Sequence, residues 1–374
     1  MIKRCIKKLL SLIPTKKLIV FESIPNLSDN TVAVFDEMVR RGLNKTYRMV
    51  WIVSNKDNRL PAIPGVSYSD KTKRFHKIAW LYYRVFAKAL ISCNEFLPTL
   101  RSGQVSFYLT HGTSIKHVRN YYTVPAAIDY MMVDGPDTLD MMSYELNFPA
   151  EKTIALGYPR NDILVNASRD VYALFEGENI RKIAVWYPTF RQHKNGMTAT
   201  TRALPFLEDE AQAARLNEMA KLHGVLLVLK PHFAQDISKI KACGFSHIRF
   251  IDDSFFVQHG ITSYEFIASC DALITDYSSV YFDYLLCDKP IGLAWDDYEE
   301  YKQSVDFAID MDYYMQGGEK ICDLDGFEVF LKHLSEGRDI LKDERARISR
   351  WANFDRDGKS AARVTDFIVE KAHL

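Results

Sequence analysis

The chain has 374 residues, of which 47% are apolar and 26% charged, the balance of a soluble globular protein long enough for two ordinary domains. Its 48 basic and 48 acidic residues cancel, which excludes the overall basic field of nucleic-acid-binding proteins. Six scattered cysteines without a CxxC motif argue against a disulfide framework or structural zinc site and favour the cytoplasm. No apolar run approaches the roughly 18 residues that span a bilayer.

The first 17 residues predict a short basic amphipathic helix. Apolar residues recur at helical spacing on one face, while six lysines and arginines, with no acidic residue among them, occupy the other. Helices of this kind lie on anionic membrane surfaces, so we predict peripheral association with the membrane. The alternative is a terminal helix that packs on the protein body with its basic side in water.

Strand-like runs alternate with helix-like segments along the rest of the chain. Several runs are apolar without alternation, which is typical of strands buried on both faces of a parallel sheet. This alternation predicts a doubly wound α/β fold. The predicted strands are 17–21, 47–53, 89–93, 105–110, 128–133, 153–156, 183–186, 225–229, 248–251, 272–275 and 291–294.

A polar stretch within residues 166–181 predicts a joint between two α/β halves of comparable size. The last residues look helical and could pack back across that joint. The predicted divisions are a basic segment at 1–17, an N-terminal domain at 18–170, a C-terminal domain at 171–354 and a crossover helix at 355–374.

Ligands of open α/β sheets bind beyond the carboxyl ends of the strands, and a histidine follows one of these ends. The strand 105–110 leads into His111, Gly112 and Thr113. An imidazole in such a turn can act as a general base near neutral pH. The alternative is a histidine whose hydrogen bonds are satisfied inside the turn.

Two further strand ends carry groups that bind phosphate. After 183–186, Pro188 stops the ladder, and Thr189 and Arg191 follow, with a guanidinium that matches phosphate oxygens. After 225–229, Lys230 and His232 supply a cation and an imidazole. A merely solvent-exposed arginine is the alternative for the first of these.

The segment 273–286, LITDYSSVYFDYLL, predicts a strand, a hydroxyl-rich turn and a helix N-terminus. Ser278 and Ser279, together with the unpaired backbone N–H groups of such a terminus, form an anion site. The alternative is that one serine is only an N-cap.

Two other motifs have more structural interpretations. The segment GYPRND, which ends at Asp162, is predicted to be mainly architectural, with Asp162 capping the helix that follows it. Gly358 and Ser360, in the tail sequence DGKS, could fold back on the phosphates or form only a turn and a cap.

In this order, HGT, GYPRND, YPTFR, LKPH and ITDYSSVYFDYLL followed by DKPI resemble the CDP-glycerol glycerophosphotransferase family, whose members synthesise teichoic acids and related capsule polymers. The resemblance covers residues 105–291 and the tail around Gly358. Thr110 and Ser114 stand where the family often has tryptophan and proline, and Phe190 replaces the tryptophan of PTWR. These departures leave the identity of the acceptor open.

The resemblance implies a GT-B-like fold, in which two Rossmann-type domains face a cleft and a C-terminal helix crosses back. It implies a CDP-alcohol donor, CDP-glycerol first, held by the C-terminal domain. The acceptor would be a lipid-linked glycan or polyol phosphate, reached at the inner face of the cytoplasmic membrane. No nucleic-acid partner and no cofactor are expected.

The resulting hypothesis is phosphoryl-group transfer with release of CMP. His111 is the predicted base, and the predicted donor-phosphate ligands are Thr189, Arg191, Lys230, His232, Ser278 and Ser279. Supporting roles are predicted for Gly112, Thr113, Asp276, Asp283, Gly358 and Ser360. We expect no metal, although Asp310 and Asp312 have DxD spacing.

Two other functions stay open at this point. Phosphate-binding strand ends would serve a nucleotide-sugar glycosyltransferase of surface polysaccharide synthesis equally well. A non-catalytic subunit of a capsule assembly complex would also fit, provided that His111 is replaceable. The sequence leaves the transferred polyol, the primase or polymerase role and the oligomeric state undetermined.

Overall fold

The computed structural model describes residues 13–54, 60–175, 180–189, 204–207, 209–231 and 238–374. The chain forms two compact units, and each is treated by itself. The first consists of Met1–Thr113, Val118–Asp162 and Asn353–Leu374, and the second of Ser114–His117 and Ile163–Ala352. The domain boundaries predicted after residues 17, 170 and 354 stay predictions.

The first unit contains a seven-stranded parallel sheet with the strand order β3-β2-β1-β4-β5-β6-β7. Its strands are β1 (Leu18–Glu22), β2 (Arg48–Val53), β3 (Val66–Asp70), β4 (Ala89–Ser92), β5 (Val105–Tyr108), β6 (Tyr130–Val133) and β7 (Thr153–Ala155). Within the described residues before position 162, the α-helices are α1 (Asp29–Arg40), α2 (His76–Phe86) and α3 (Leu139–Glu145).

The second unit contains a six-stranded parallel sheet with the order β10-β9-β8-β11-β12-β13. Its strands are β8 (Lys182–Trp186), β9 (Val225–Leu229), β10 (Ile248–Phe250), β11 (Ala272–Thr275), β12 (Ile291–Ala294) and β13 (Glu319–Ile321). The remaining helices are α4 (Asp162–Asn166), α5 (Glu210–His223), α6 (Ser238–Ala242), α7 (Asp253–His259), α8 (Ser263–Ser269), α9 (Val280–Tyr284), α10 (Tyr298–Ser304), α11 (Met311–Tyr314), α12 (Leu324–Glu336), α13 (Lys342–Ala352) and, back in the first unit, α14 (Ser360–Ala372).

Both sheets are covered by apolar layers on their two faces. In the first unit, Phe21 and Trp51 pack with α1 and α14 on one face, while Val20 and Val50 lie in a separate cluster on the other. In the second unit, Val185 belongs to one cluster, and its neighbours in the strand belong to another. Because side chains alternate along a strand, burial of both faces requires the continuous apolar runs seen in the sequence.

The predicted fold class is therefore confirmed: two parallel, Rossmann-type sheets in an α/β chain. Each predicted strand corresponds to an observed one, but β3 and β13 were missed. Both are edge strands, and their sequences, VSYSD and EKI, are polar because only part of each is buried. Their polar composition hides them from a search for buried runs.

Candidate active site

The turn after β5 carries His111 in a strained backbone. Thr110 has a φ of +32°, which β-branched residues rarely adopt, and Gly112 has a φ of +145°. The buried Thr110 hydroxyl donates to the carbonyl of Met132 at 2.7 Å. Strain of this kind persists only where surrounding contacts enforce it, and it clusters at functional sites.

A buried asparagine from α1 holds the same turn. Asn30 is fully buried, and its Nδ2 donates to the carbonyls of Leu109 and Thr110 at 3.1 and 3.0 Å. Its Oδ1 accepts the backbone N–H of Arg160 at 3.1 Å, so the amide group is engaged at both ends. The backbone that precedes His111 is thereby fixed from a different element of the first unit.

His111 is exposed, and its Nδ1 contacts the loop that follows β4. Nδ1 lies 3.2 Å from the carbonyl oxygen of Cys93, which can only accept a hydrogen bond. Nδ1 is therefore the protonated nitrogen of the neutral ring, and Nε2 carries the lone pair. This tautomer is the one that accepts a proton at the solvent-facing nitrogen.

In the second unit, a buried carboxylate holds the loop after β8. Asp276 follows β11, and both of its oxygens lie 2.9 Å from the backbone nitrogen of Thr189. The Thr189 hydroxyl also donates to Asp276. The adjacent Thr275 hydroxyl donates to the carbonyl of Tyr187 at 2.8 Å, so two consecutive residues fasten the loop to β11.

These contacts bring Thr189 and Asp276 together and give Asp276 a positioning role in the loop. Because the Thr189 hydroxyl proton is directed at Asp276, Thr189 would need to turn in order to donate to a phosphate. Its predicted contact with phosphate stays a prediction. Asp283 is also buried and accepts the hydroxyl proton of Tyr264 at 2.6 Å, a contact that ties α9 to α8.

Ser278 and Ser279 form the turn between β11 and α9, and both are half-buried. Ser279 occupies the N-cap position, but its side chain makes no capping hydrogen bond. The interpretation of this serine as only an N-cap therefore lacks its defining contact. The helix that follows has only five residues, so its dipole contributes less than the sequence pattern indicated.

Lys230 directly follows β9, and its backbone N–H donates to the carbonyl of Trp186. Its Nζ lies 3.0 Å from a carboxylate oxygen of Asp253, whose side chain is 85% exposed, and 5.9 Å from the ring centroid of Tyr187. An exposed ion pair of this kind is worth little, so an anionic ligand can displace it. The predicted ligands Arg191 and His232 lie outside the described residues.

Asp162 binds the start of a helix that lies far along the chain. The Asp162 carboxylate accepts the backbone N–H groups of Ser360 and Ala361, at 2.7 and 2.8 Å, and so caps α14. The predicted cap on the helix that follows Asp162 stays a prediction. Burial raises the pKa of Asp162, and these hydrogen bonds oppose that shift. Gly157 approaches so closely that a Cβ there would lie 2.3 Å from the Ser360 hydroxyl oxygen.

The tail motif therefore has partners within the protein. Ser360 is buried, and its hydroxyl accepts from Arg363 at 3.0 Å, while Gly358 has a φ of +64°. These contacts favour the turn-and-cap alternative for Gly358 and Ser360 over a contact with phosphates. The DxD residues likewise have structural partners, since Asp310 caps α11 and Asp312 pairs with Lys320 at 2.8 Å.

An apolar surface at α2 was not predicted. Phe75, Ile78 and Leu81 are 71%, 70% and 61% exposed and recur at helical spacing. Residues 71–88 contain six lysines and arginines and no acidic residue. Lys16 joins this surface, with its Nζ 3.0 Å from the Tyr82 hydroxyl oxygen. We call Phe75, Ile78 and Leu81 the α2 apolar face.

Nothing in the part of the chain that the structure describes is a helix with both the length and the apolar character needed to cross a bilayer. The predicted amphipathic helix lies almost entirely in residues 1–12, outside the described residues. The sequence signal for this region is the excess of basic over acidic residues at 71–88, which resembles the excess at the N-terminus.

Comparison with known proteins identifies the family of this chain. The family model described as CDP-Glycerol:Poly(glycerophosphate) glycerophosphotransferase matches residues 6–370. The chain belongs to this family. The predicted family and enzyme class are thereby confirmed: the chain is a glycerophosphotransferase of the group that makes teichoic acids.

Named relatives agree with this assignment. The teichoic acid poly(glycerol phosphate) polymerase of Bacillus spizizenii is 26% identical over 331 residues, which cover 80% of this chain and 79% of the polymerase. The teichoic acid ribitol-phosphate primase of the same organism is 24% identical over 64% of this chain and 59% of the primase. The structure of the wall teichoic acid polymerase TagF matches with a TM-score of 0.75 and 20% identity, covering 99% of this chain and 94% of that one. This last likeness supports the GT-B-like fold.

Proposed function

We propose that this glycerophosphotransferase transfers glycerol phosphate from CDP-glycerol to a hydroxyl group of a polyol-phosphate acceptor, with release of CMP. Family membership supports the reaction class. The observation that carries the mechanism is the tautomer of His111, which leaves the lone pair of its exposed Nε2 ready to accept a proton.

In the proposed step, Nε2 of His111 removes the proton of the acceptor hydroxyl group. The acceptor oxygen attacks the phosphorus that bears the glycerol, and the bond between that phosphorus and the bridging oxygen breaks. The bridging oxygen and its electron pair leave with CMP, and a phosphodiester forms. Because proton removal and charge stabilisation dominate such transfers, a positioned base and phosphate ligands suffice for the protein's part.

The donor phosphates would bind in the second unit, at the carboxyl ends of β8, β9 and β11. Ser278 and Ser279 offer hydroxyl groups on a turn, and Lys230 offers a cation whose carboxylate partner, Asp253, is exposed. Asp276 would keep the Thr189 loop in place beside them. Arg191 and His232 complete the proposed donor set.

The acceptor is proposed to be lipid-linked and to be met at an anionic membrane. Support comes from the α2 apolar face, whose large apolar side chains are exposed to solvent. They belong to the segment 71–88, which contains basic residues and no acidic residue. Apolar side chains favour the acyl boundary, and the surrounding lysines and arginines favour anionic headgroups. The contact of Lys16 with Tyr82 connects the basic N-terminal segment to the same surface.

Nucleotide release from a panel of donors tests the reaction. Purified protein is incubated with CDP-glycerol, CDP-ribitol or UDP-glucose and a membrane extract, and CMP or UDP is measured. We expect CMP from CDP-glycerol only when the extract is present. CMP mainly from CDP-ribitol would change the transferred polyol, whereas UDP release alone would favour the sugar glycosyltransferase.

Vesicle sedimentation tests the membrane proposal. Replacing Phe75, Ile78 and Leu81 by serine should lower binding to phosphatidylglycerol vesicles at least about tenfold, because each apolar side chain contributes on the order of 1.5 kcal/mol or more when buried. Serine at Leu222, Val257 and Val329 is the matched control, since these side chains are exposed singly on other helices. Equal loss in both triple variants would contradict the proposal.

A further inference from the structure

Glu22 is a fully buried carboxylate at the carboxyl end of β1 that the proposed mechanism does not use. One of its oxygens, Oε2, accepts the backbone N–H of Glu95 at 2.9 Å and that of Asn94 at 3.3 Å. These two residues lie just beyond β4, the strand that pairs with β1. The carboxylate therefore fixes the backbone at the start of the loop that leaves β4.

The same loop supplies the hydrogen bond that sets the tautomer of His111. Cys93 immediately precedes Asn94, and its carbonyl oxygen accepts a hydrogen bond from His111 Nδ1 at 3.2 Å. The Cys93 carbonyl and the Asn94 N–H belong to the same planar peptide group, so neither can rotate without the other. Glu22 is thus two hydrogen bonds removed from the imidazole, within a single unit of the protein.

The second oxygen of Glu22 adds to the free-energy cost of burying this carboxylate. Oε1 is buried and has no hydrogen-bond partner among the described residues. Leaving such an oxygen unpaired costs free energy, and an apolar residue of similar volume often fits a buried site at least as well. Burial also raises the pKa of Glu22, and the nearby Glu95 adds to that shift.

We propose that Glu22 is a positioning residue that holds His111 in the tautomer protonated at Nδ1. It does so by fixing the peptide of Cys93 and Asn94, whose carbonyl oxygen accepts the Nδ1 proton. The catalytic meaning of this arrangement rests on the proposed function, in which Nε2 is the base. The hydrogen-bond route itself does not depend on it.

A pair of variants separates the hydrogen bonds of Glu22 from its volume. Glu22→Met fills the site without an oxygen acceptor, leaving only a weakly accepting sulfur, and Glu22→Gln keeps one carbonyl oxygen for the two N–H groups. The tautomer of His111 is read from 15N-histidine NMR spectra near pH 8, where an ordinary imidazole is neutral. The His111 signals are assigned by their absence from His111→Ala.

We expect the wild type and Glu22→Gln to show protonated Nδ1, and Glu22→Met to shift toward protonated Nε2. Glu22→Met should also lower kcat about tenfold or more, because Nε2 of His111 is then protonated and cannot act as the base. The KM for the donor should stay within about twofold of the wild-type value, because the phosphate site is untouched. If Glu22→Met does not fold, Glu22→Ala takes its place under the same criterion.

Asp70→Ala is the matched control. Asp70 is also buried at the carboxyl end of a strand in this sheet, and it accepts the backbone N–H of Thr72 at 2.8 Å. It should change neither the tautomer nor kcat. A folded Glu22→Met with protonated Nδ1, or an equal shift in Glu22→Gln, would overturn the proposal. Activity retained in His111→Ala would instead overturn the proposed role of His111 and leave the NMR result standing.

Discussion

The turn that carries His111 and the turn that carries Ser278 and Ser279 both follow parallel strands, but they are fixed in different ways. The first is held by buried side chains from other elements, including Asn30 from α1, and includes strained backbone at Thr110. The second leaves the side chain of Ser279 without a capping bond at the start of a short helix.

This difference matches what each chemistry requires. A general base needs one ring nitrogen protonated and the other free, so its surroundings must specify orientation and tautomer. The phosphate site proposed at the second turn needs donors that are not already engaged, and the Ser279 side chain makes no capping hydrogen bond. The loop at Thr189 resembles the first turn in one respect, because the buried carboxylate of Asp276 accepts its backbone N–H group.

The largest effect should follow from His111→Ala. Loss of the base should lower kcat by roughly 10²–10⁴-fold, with little change in the KM for the donor. The control is His117→Ala, which removes another exposed histidine whose ring lies 3.9 Å from Asp306. CMP release by both variants is measured under identical conditions. Similar rates in the two would show that His111 is replaceable and would contradict its proposed role as the base.

Asp276→Ala should come second. Removal of a buried acceptor that holds Thr189 costs on the order of 1.5–3 kcal/mol, so kcat/KM for the donor should fall by about 10–100-fold. Asp271→Ala is its counterpart at the amino end of the same strand, where the carboxylate accepts the N–H of Ile183 at 2.8 Å. Both variants should lose stability in denaturant titrations, but only Asp276→Ala should lose donor affinity.

Ser278→Ala and Ser279→Ala should each have a smaller effect, confined to the donor. Loss of one hydroxyl donor to phosphate corresponds to about 1 kcal/mol, so the KM for the donor should rise about fivefold. Thermal stability should stay unchanged for Ser279→Ala, because its side chain makes no cap. A lower Tm with an unchanged KM would instead identify a capping role. Ser335→Ala on α12 serves as the control.

The pH dependence of stability should show the smallest effect. Burial raises the pKa of Glu22 above its ordinary value of 4.5, so the folded protein binds more protons than the unfolded chain above that pH. Wild-type stability should therefore fall relative to Glu22→Gln as the pH rises from 4.5 through the raised pKa, and the difference should then level off. Urea titrations of both proteins across this range measure it. A constant difference would show that Glu22 does not titrate as its burial requires.

Much of the fold could be predicted because buried parallel strands leave continuous apolar runs in the sequence. The positions of His111 and of the two serines could also be predicted, since each follows such a run. The contacts that complete the sites could not. Asn30 lies 80 residues before the Thr110 carbonyl that it binds, and Asp162 lies 198 residues before the N–H of Ser360.

Local pattern carries no information on partners this distant. The hydrogen bonds from Asp162 to α14 were not predicted for that reason, since a carboxylate at the start of a helix ordinarily caps that helix. The α2 apolar face was missed for a different reason. Its apolar residues have the spacing of an ordinary amphipathic helix, and only the structure shows that they remain exposed.

The central claim is most directly tested by 31P NMR of the reaction between CDP-glycerol and a glycerol-phosphate oligomer. With the wild type, we predict that the pyrophosphate signals disappear while CMP and phosphodiester signals appear in equal amounts. With His111→Ala, the pyrophosphate signals should persist. Intact CDP-glycerol with the wild type, in the presence of an acceptor that a known polymerase of this family extends, would contradict the account.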